Sequence, residues 1–206
     1  MHRLFSLSAV AFALLAGTVP QSSAQSLTTP APDGTPGATF VQGCVTSHFF
    51  NFTYRLPDGM SLADMSRAPN GGNDPTGRNF VLFMAHRARG INQDVVNAAA
   101  EDRRQASDSS AASWMRALHN LNKRRQDIPT QGEVESVPIG DQQLARLRFQ
   151  QSRDDGVITY ESAYAIGVRG YVVYFIFGSI DQAALASLER SMGYFSAKDG
   201  ACAVSK

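Results

Sequence analysis

The chain has 206 residues, 43% hydrophobic and 18% charged, with 17 Gly, 9 Pro and a formal net charge of +1. This is the composition of a globular domain, and it excludes collagen-like, coiled-coil and strongly disordered chains.

Met1-His2-Arg3 is followed by an apolar run from Leu4 to Gly17 and by a polar stretch with small residues at Ser22 and Ala24. A short basic head, an apolar segment and small residues before a cut are the parts of a secretory signal peptide, so residues 1–24 are expected to be removed. A retained anchor is the competing reading; it needs about 20 consecutive apolar residues, and this run is shorter. Removal takes Arg3 from the 19 basic residues and leaves 18, against 18 acidic ones. A balanced surface disfavours nucleic acid and general attraction to an anionic membrane. The mature chain is expected in the periplasm or outside the cell, with no stable membrane insertion.

Residues 25–39 carry Pro30, Pro32, Pro36, Gly34 and Gly37 with almost no large apolar side chain. They bury too little surface to offset ordering entropy and are predicted to be a flexible leader to a single domain over residues 40–206. Residues 49–56 are aromatic and strand-prone and end at Pro57-Asp58-Gly59, a turn signal; residues 68–78 read as an exposed loop. Residues 80–87 are apolar on both faces, which marks an interior strand. Two helices are predicted next. Residues 92–107 have Asn92 as a cap and Asp94 near the positive end of the dipole; residues 109–124 place Ala111, Met115 and Leu118, and Ala112, Trp114 and Leu121, at helical spacing.

Four strand-like runs follow at 132–139, 143–151, 157–168 and 171–177, separated by Gly140-Asp141, Asp154-Asp155-Gly156 and Arg169-Gly170. Short links between successive strands predict antiparallel hairpins, and the unbroken apolar run from Tyr171 to Phe177 belongs at the sheet's centre. Asp181 caps a last helix whose Ala184, Leu185, Leu188, Met192 and Phe195 form one apolar stripe. The order predicts an α+β fold, an α-β-α sandwich with a central, mainly antiparallel sheet covered by helices.

Cys44 and Cys202 are the two cysteines, and in an exported chain their simplest use is a disulfide. Free thiols or a redox pair compete with this reading, although Cys-x-x-Cys is absent. His48, His86 and His119 lie far apart in sequence, which assigns no metal site. His86 reads as a partly buried residue at a strand end, and His119 as a helix-surface residue. Gly178-Ser179-Ile180 lacks the second glycine of a nucleophile elbow, and neither a phosphate loop nor a dinucleotide fingerprint is present. Gly71-Gly72-Asn73-Asp74-Pro75 lacks the ordered acids of a calcium loop. Arg103-Arg104 and Lys123-Arg124-Arg125 read as solvated helix faces. Arg146 and Arg148 alternate against Ala145, Leu147 and Phe149 and so share one sheet face. His86, Arg146 and Arg148 are the candidate residues of a ligand groove; no catalytic residue, cofactor or metal is assigned.

The segment Ser47-His48-Phe49-Phe50-Asn51-Phe52-Thr53-Tyr54-Arg55-Leu56-Pro57-Asp58-Gly59-Met60 resembles the opening of PsbP-like domains, whose first strand commonly reads aromatic-x-Phe-x-Tyr-x-x-Pro-x-Gly-Trp. The tail from Val137 through the 171–177 strand to Met192 is similar to that family's closing hairpins and C-terminal helix. The resemblance implies an α-β-α sandwich used by small accessory or binding proteins, often exported, and carries over no catalytic residue. The expected function is an exported non-enzymatic accessory or binding module of the cell envelope, with an envelope protein or a small ligand as partner. A small-ligand or metal carrier using a sheet–helix cleft is the alternative, and a small hydrolase a third.

Overall fold

The computed structural model describes residues 37–65, 76–89, 92–124, 129–153, 155–196 and 202. The expected signal peptide, nearly all of the leader and the Gly71–Pro75 fragment lie outside these residues. In chain order the elements are β1 (Thr39–Val41), β2 (Cys44–Ser47), β3 (Phe52–Arg55), β4 (Ser61–Leu62), β5 (Asn79–Arg89), β6 (Asn92–Asp102), α1 (Ala111–Arg124), β7 (Thr130–Ile139), β8 (Gln142–Ser152), β9 (Ile158–Val168), β10 (Tyr171–Ser179), α2 (Gln182–Arg190), a 3-10 turn (Ser191–Tyr194) and β11 (Phe195–Ser196). They form a seven-stranded sheet in the order β4-β5-β6-β10-β9-β8-β7 and a four-stranded one in the order β1-β2-β3-β11. Every pairing is antiparallel.

The fold is the expected α+β sandwich, with β10 in the middle of the large sheet. Its two faces are covered differently. On one, Val96, Ala98, Ala100, Tyr164, Val173, Phe175 and Phe177 pack against β2, β3, β11 and α2. Phe175 is the meeting point, with ring centroids 5.7 Å from Phe52, 5.3 Å from Tyr54, 6.2 Å from Phe83 and 5.6 Å from Phe195. The aromatic segment seen in the sequence thus serves the second sheet, which supplies much of the cover expected from helices. On the other face α1 lies over Ala145, Leu147, Phe149, Ala163, Ala165 and Val172. Trp114 anchors it there, stacked 4.7 Å from Tyr174 and donating from Nε1 to Glu101 Oε2 at 2.6 Å.

Asp181 caps α2 as expected, accepting from the Ala183 amide at 2.9 Å. Tyr54 ties α2 to the small sheet through a chain of two bonds. Ser191 Oγ donates to the Leu188 carbonyl at 2.5 Å, so its 2.6 Å contact with Tyr54 is a bond donated by the phenol. Burial pushes that phenol's pKa well up. Cys44 and Cys202 are joined, with Cα atoms 5.9 Å apart across a sequence separation of 158. Closing a loop of that length stabilises by about 5 kcal/mol in the chain-entropy account. The β9–β10 hairpin turns on Arg169 and Gly170, both at positive φ, the pair of conformations that a type I′ turn requires. At Gly170 a Cβ would lie 2.6 Å from Arg104 Cγ, so the position also needs glycine for space.

Two sequence expectations are corrected. Residues 92–107 are not a helix; β6 occupies Asn92–Asp102, paired with β5 and β10. The alanine run favours helix by propensity, but two long apolar neighbours supply a full set of strand partners that override it. Asp94 is correspondingly no dipole complement. It is fully buried and accepts from Arg87 Nη2 at 2.7 Å, Arg87 Nε at 3.1 Å and Ser179 Oγ at 2.7 Å. Nor is His119 on the helix surface: it is 3% exposed, one turn after Met115 and facing β7, with Nε2 3.4 Å from Glu133 Oε2.

Asp94→Ala strands Arg87 and leaves Ser179 without its acceptor. Because Arg87 is partly exposed, the loss is expected near the low end for a broken buried pair, about 3 kcal/mol, against about 1 kcal/mol for Ser179→Ala. Urea unfolding followed by circular dichroism checks both values and their order.

Candidate functional site: a groove where two hairpins part

The three candidate ligand residues are not brought together. Arg146 pairs with Tyr164 and Arg148 with Ser162 across β8 and β9, on the face covered by α2. His86, next to Ala85 of the buried row Ala85, Val96 and Phe177, projects to the opposite face, and β6, β10 and β9 separate its strand from β8. The arginines are themselves engaged. Arg148 makes two bonds to Glu189, Nε to Oε1 at 2.8 Å and Nη2 to Oε2 at 2.7 Å. Burial pushes the Glu189 carboxyl up, but the Arg148 bonds and the two guanidinium charges outweigh it and hold it below the ordinary range. Arg146 pairs with Glu135 and lies over the Tyr164 ring. These pairs fasten α2 and β7 to the sheet, and they leave the arginines' charges matched before any ligand arrives.

An open groove of about 940 Å³ lies elsewhere, at the end of the sheet where two hairpins part. The β7–β8 ladder runs to Ile139 and Gln142, and the β9–β10 ladder to Val168 and Tyr171. Between them the β8–β9 ladder stops at Ala145 and Ala165. The register of the pairs already made puts Gln143 opposite Gly167 as the next step on the same side of the strands, and that step is not formed. Leu144, Ala145 and Ile166 are buried at the base. One wall is the segment leading into α1, Asp108 to Ala112, with Arg116 one turn on; the others carry Glu135, Ser136, Gln143 and Arg169.

Local bonds hold these walls. Ser110 Oγ accepts from the Ser113 amide at 3.2 Å and so caps α1. Asp108 Oδ1 accepts from the Ser110 amide at 2.8 Å, a bond that keeps the Asp108 carboxyl below its usual range. Under the Arg169-Gly170 tip, Tyr171 meets Phe49 and Phe50 edge-on at 5.5 and 5.4 Å, and the Arg169 guanidinium lies 5.9 Å from the Phe49 centroid. Gly167 sits beneath the start of α1, where a Cβ would meet Ser109 O and Ala111 N at 3.8 Å, ordinary contact distances. The lining offers hydroxyls, amides and two charges of each sign, which suits holding a ligand better than moving protons. Sequence reading singled out neither Gln143 nor Gly167.

The most perturbed carboxyl of ordinary range lies apart from the groove. Glu161 sits between Phe149 and Gly178 in the sheet, and burial alone raises its pKa from 4.5 to about 7; among the described residues no donor reaches its carboxyl. A carboxyl raised in the folded state holds its proton more tightly there than in the unfolded chain. Ionising it therefore costs stability as pH climbs from the ordinary glutamate range to about 7, and the cost is constant above that. Glu161→Gln should unfold at higher denaturant than the parent near pH 8, by about 1–3 kcal/mol, and match it near pH 4. An equal difference at both pH values would place the effect in packing instead.

No family model and no curated protein matches the chain. Among solved structures it is similar to LpqN of Mycobacterium tuberculosis, a protein involved in cell envelope biogenesis, with a TM-score of 0.47 at 15% identity over 79% of this chain and 83% of that one. It is also similar to the PsbP protein of the cyanobacterium Synechocystis, with a TM-score of 0.49 at 11% identity over 82% and 98% of the two chains. A protein of unknown function from Pseudomonas aeruginosa, a putative regulator, gives 0.40 at 18% identity over 64% and 90%. A PsbP protein, the family resembled by the 47–60 segment and the tail, thus stands among the similar structures, and no residue's role is carried over from any of them.

Proposed function

We propose that the protein is an exported, non-enzymatic binding module of the cell envelope that holds its partner in the groove between α1, β8 and β9. The observation that carries this reading is the groove itself: open, walled by a capped helix start and two hairpin tips, and lined by hydroxyl and amide groups beside opposed charges. Export is supported by the signal-like residues 1–24 and by the Cys44–Cys202 bridge, a bond that persists in oxidising compartments. A balanced net charge after removal of Arg3 favours recognition by local shape and hydrogen bonding over long-range attraction. For the carrier reading, the described residues contain no group of three or more His, Cys, Asp or Glu placed to hold a metal ion.

Two measurements test this. N-terminal sequencing of protein recovered from the envelope should begin at Gln25; a start at Met1 contradicts processing by signal cleavage. A photo-reactive side chain at Ser136, in the groove wall, should cross-link to a partner in the native envelope fraction. The same group at Ile158, 45% exposed at the opposite end of β9, should not. Equal yields at both positions, or none at Ser136, overturn the assignment of the groove.

A further inference from the structure

We infer that the occupant of this groove is an extended peptide segment of another protein, which enters as an added strand between β8 and β9. The inference rests on the groove reading above and specifies its ligand. Backbone polar groups in a sheet are normally paired, and the β8–β9 ladder abandons its next step, Gln143 with Gly167, although both residues are still held in strands by their outer neighbours β7 and β10. The two strands therefore present a ladder edge to each other across the groove, already extended and in place. An incoming strand that bonds both edges needs them two ladder spacings, roughly 9.6 Å, apart. Because β8 and β9 are antiparallel, the inserted segment runs antiparallel to one and parallel to the other.

The walls define what the segment carries. About three residues, at roughly 3.3 Å each, span the unpaired ends. A side chain pointing towards α1 meets Ala111, Ala112 and Ala145, and since a Cβ on Gly167 would already touch Ser109 O and Ala111 N at 3.8 Å, that position suits a small side chain. With Glu135 already paired to Arg146, the flanking charges are Asp108 against Arg116 and Arg169, which match a segment that is neutral or weakly acidic.

Random 12-residue peptides displayed on phage, selected against the mature disulfide-bonded protein, supply the probe, and the selected peptide is then synthesised. Its binding should slow hydrogen exchange at the backbone amides of both Gln143 and Gly167. N-methylation at alternate peptide positions should weaken it at least tenfold, since that removes main-chain donors and keeps the side chains. Gly167→Ala adds a methyl to the groove at a position without positive φ and at ordinary contact distance, 3.8 Å, from Ser109 O and Ala111 N, and should weaken binding. Gln143→Pro removes one backbone donor and should weaken binding; unchanged unfolding midpoints in both variants show that the fold is intact. The inference is overturned if N-methylation has no effect, if only one of the two amides is protected, if both are protected before peptide is added, or if selection yields no peptide at the groove. Cross-linking at Ser136 to a species other than a polypeptide keeps the groove reading and removes this one.

Discussion

The arrangement of the large sheet hangs on one buried charge. Asp94 has no exposed surface, and an ionised carboxylate in that position is tolerable only when its oxygens are filled by donors. Arg87 on β5 fills one oxygen and Ser179 on β10 the other. Each donor extends the constraint outward. Arg87 Nη1 bonds the Asp58 carbonyl at 3.0 Å and fixes the turn that leads out of the small sheet, while Ser179 Oγ accepts from the Asp181 amide at 3.1 Å and fixes the start of α2. One carboxylate thus sets how β5, β6 and β10 align and where both flanking elements begin.

The same residue shows why β6 was hidden. Read as a sequence, Asn92 to Ala100 has a cap, an acid in the first turn and three successive alanines, all of which favour helix. The period-two signal is there, with Asp94, Val96, Ala98 and Ala100 all directed into the core, but alanine carries almost no hydrophobic contrast. The small residues are required by their neighbours: Ala98 lies between Phe83 and Phe175, whose rings fill the space a larger side chain would take. By contrast β8, β9 and β10 were legible because their alternation is written in large residues and punctuated by turn residues. His119 was misplaced because a single polar residue does not show which way its helix face turns.

Site features divided along a similar line. That Arg146 and Arg148 share a face follows from strand periodicity alone, but their partners Glu135 and Glu189 sit on β7 and α2, and only the folded chain shows the charges to be matched. The groove is harder still to read from sequence, since it is defined by a pairing step that is not made. Its walls are nevertheless firm. The start of α1 is held from below by Trp114 on Tyr174 and Glu101, and the β9–β10 tip by Tyr171 under the rings of Phe49 and Phe50 and the Arg104 guanidinium, 5.1 Å from the Tyr171 centroid.

The bridge from Cys44 to Cys202 also determines how the domain bears mechanical load. It encloses β2 to β11 in one covalent ring, and among the described strands β1 lies outside it. A pull applied to the two ends of the chain peels β1 from β2 and is then carried by the sulfur–sulfur bond, so the strands inside the ring are not unzipped. A backbone cut anywhere inside the ring leaves two pieces that stay joined. The bridge thus keeps the groove with the chain that carries it even after such a cut.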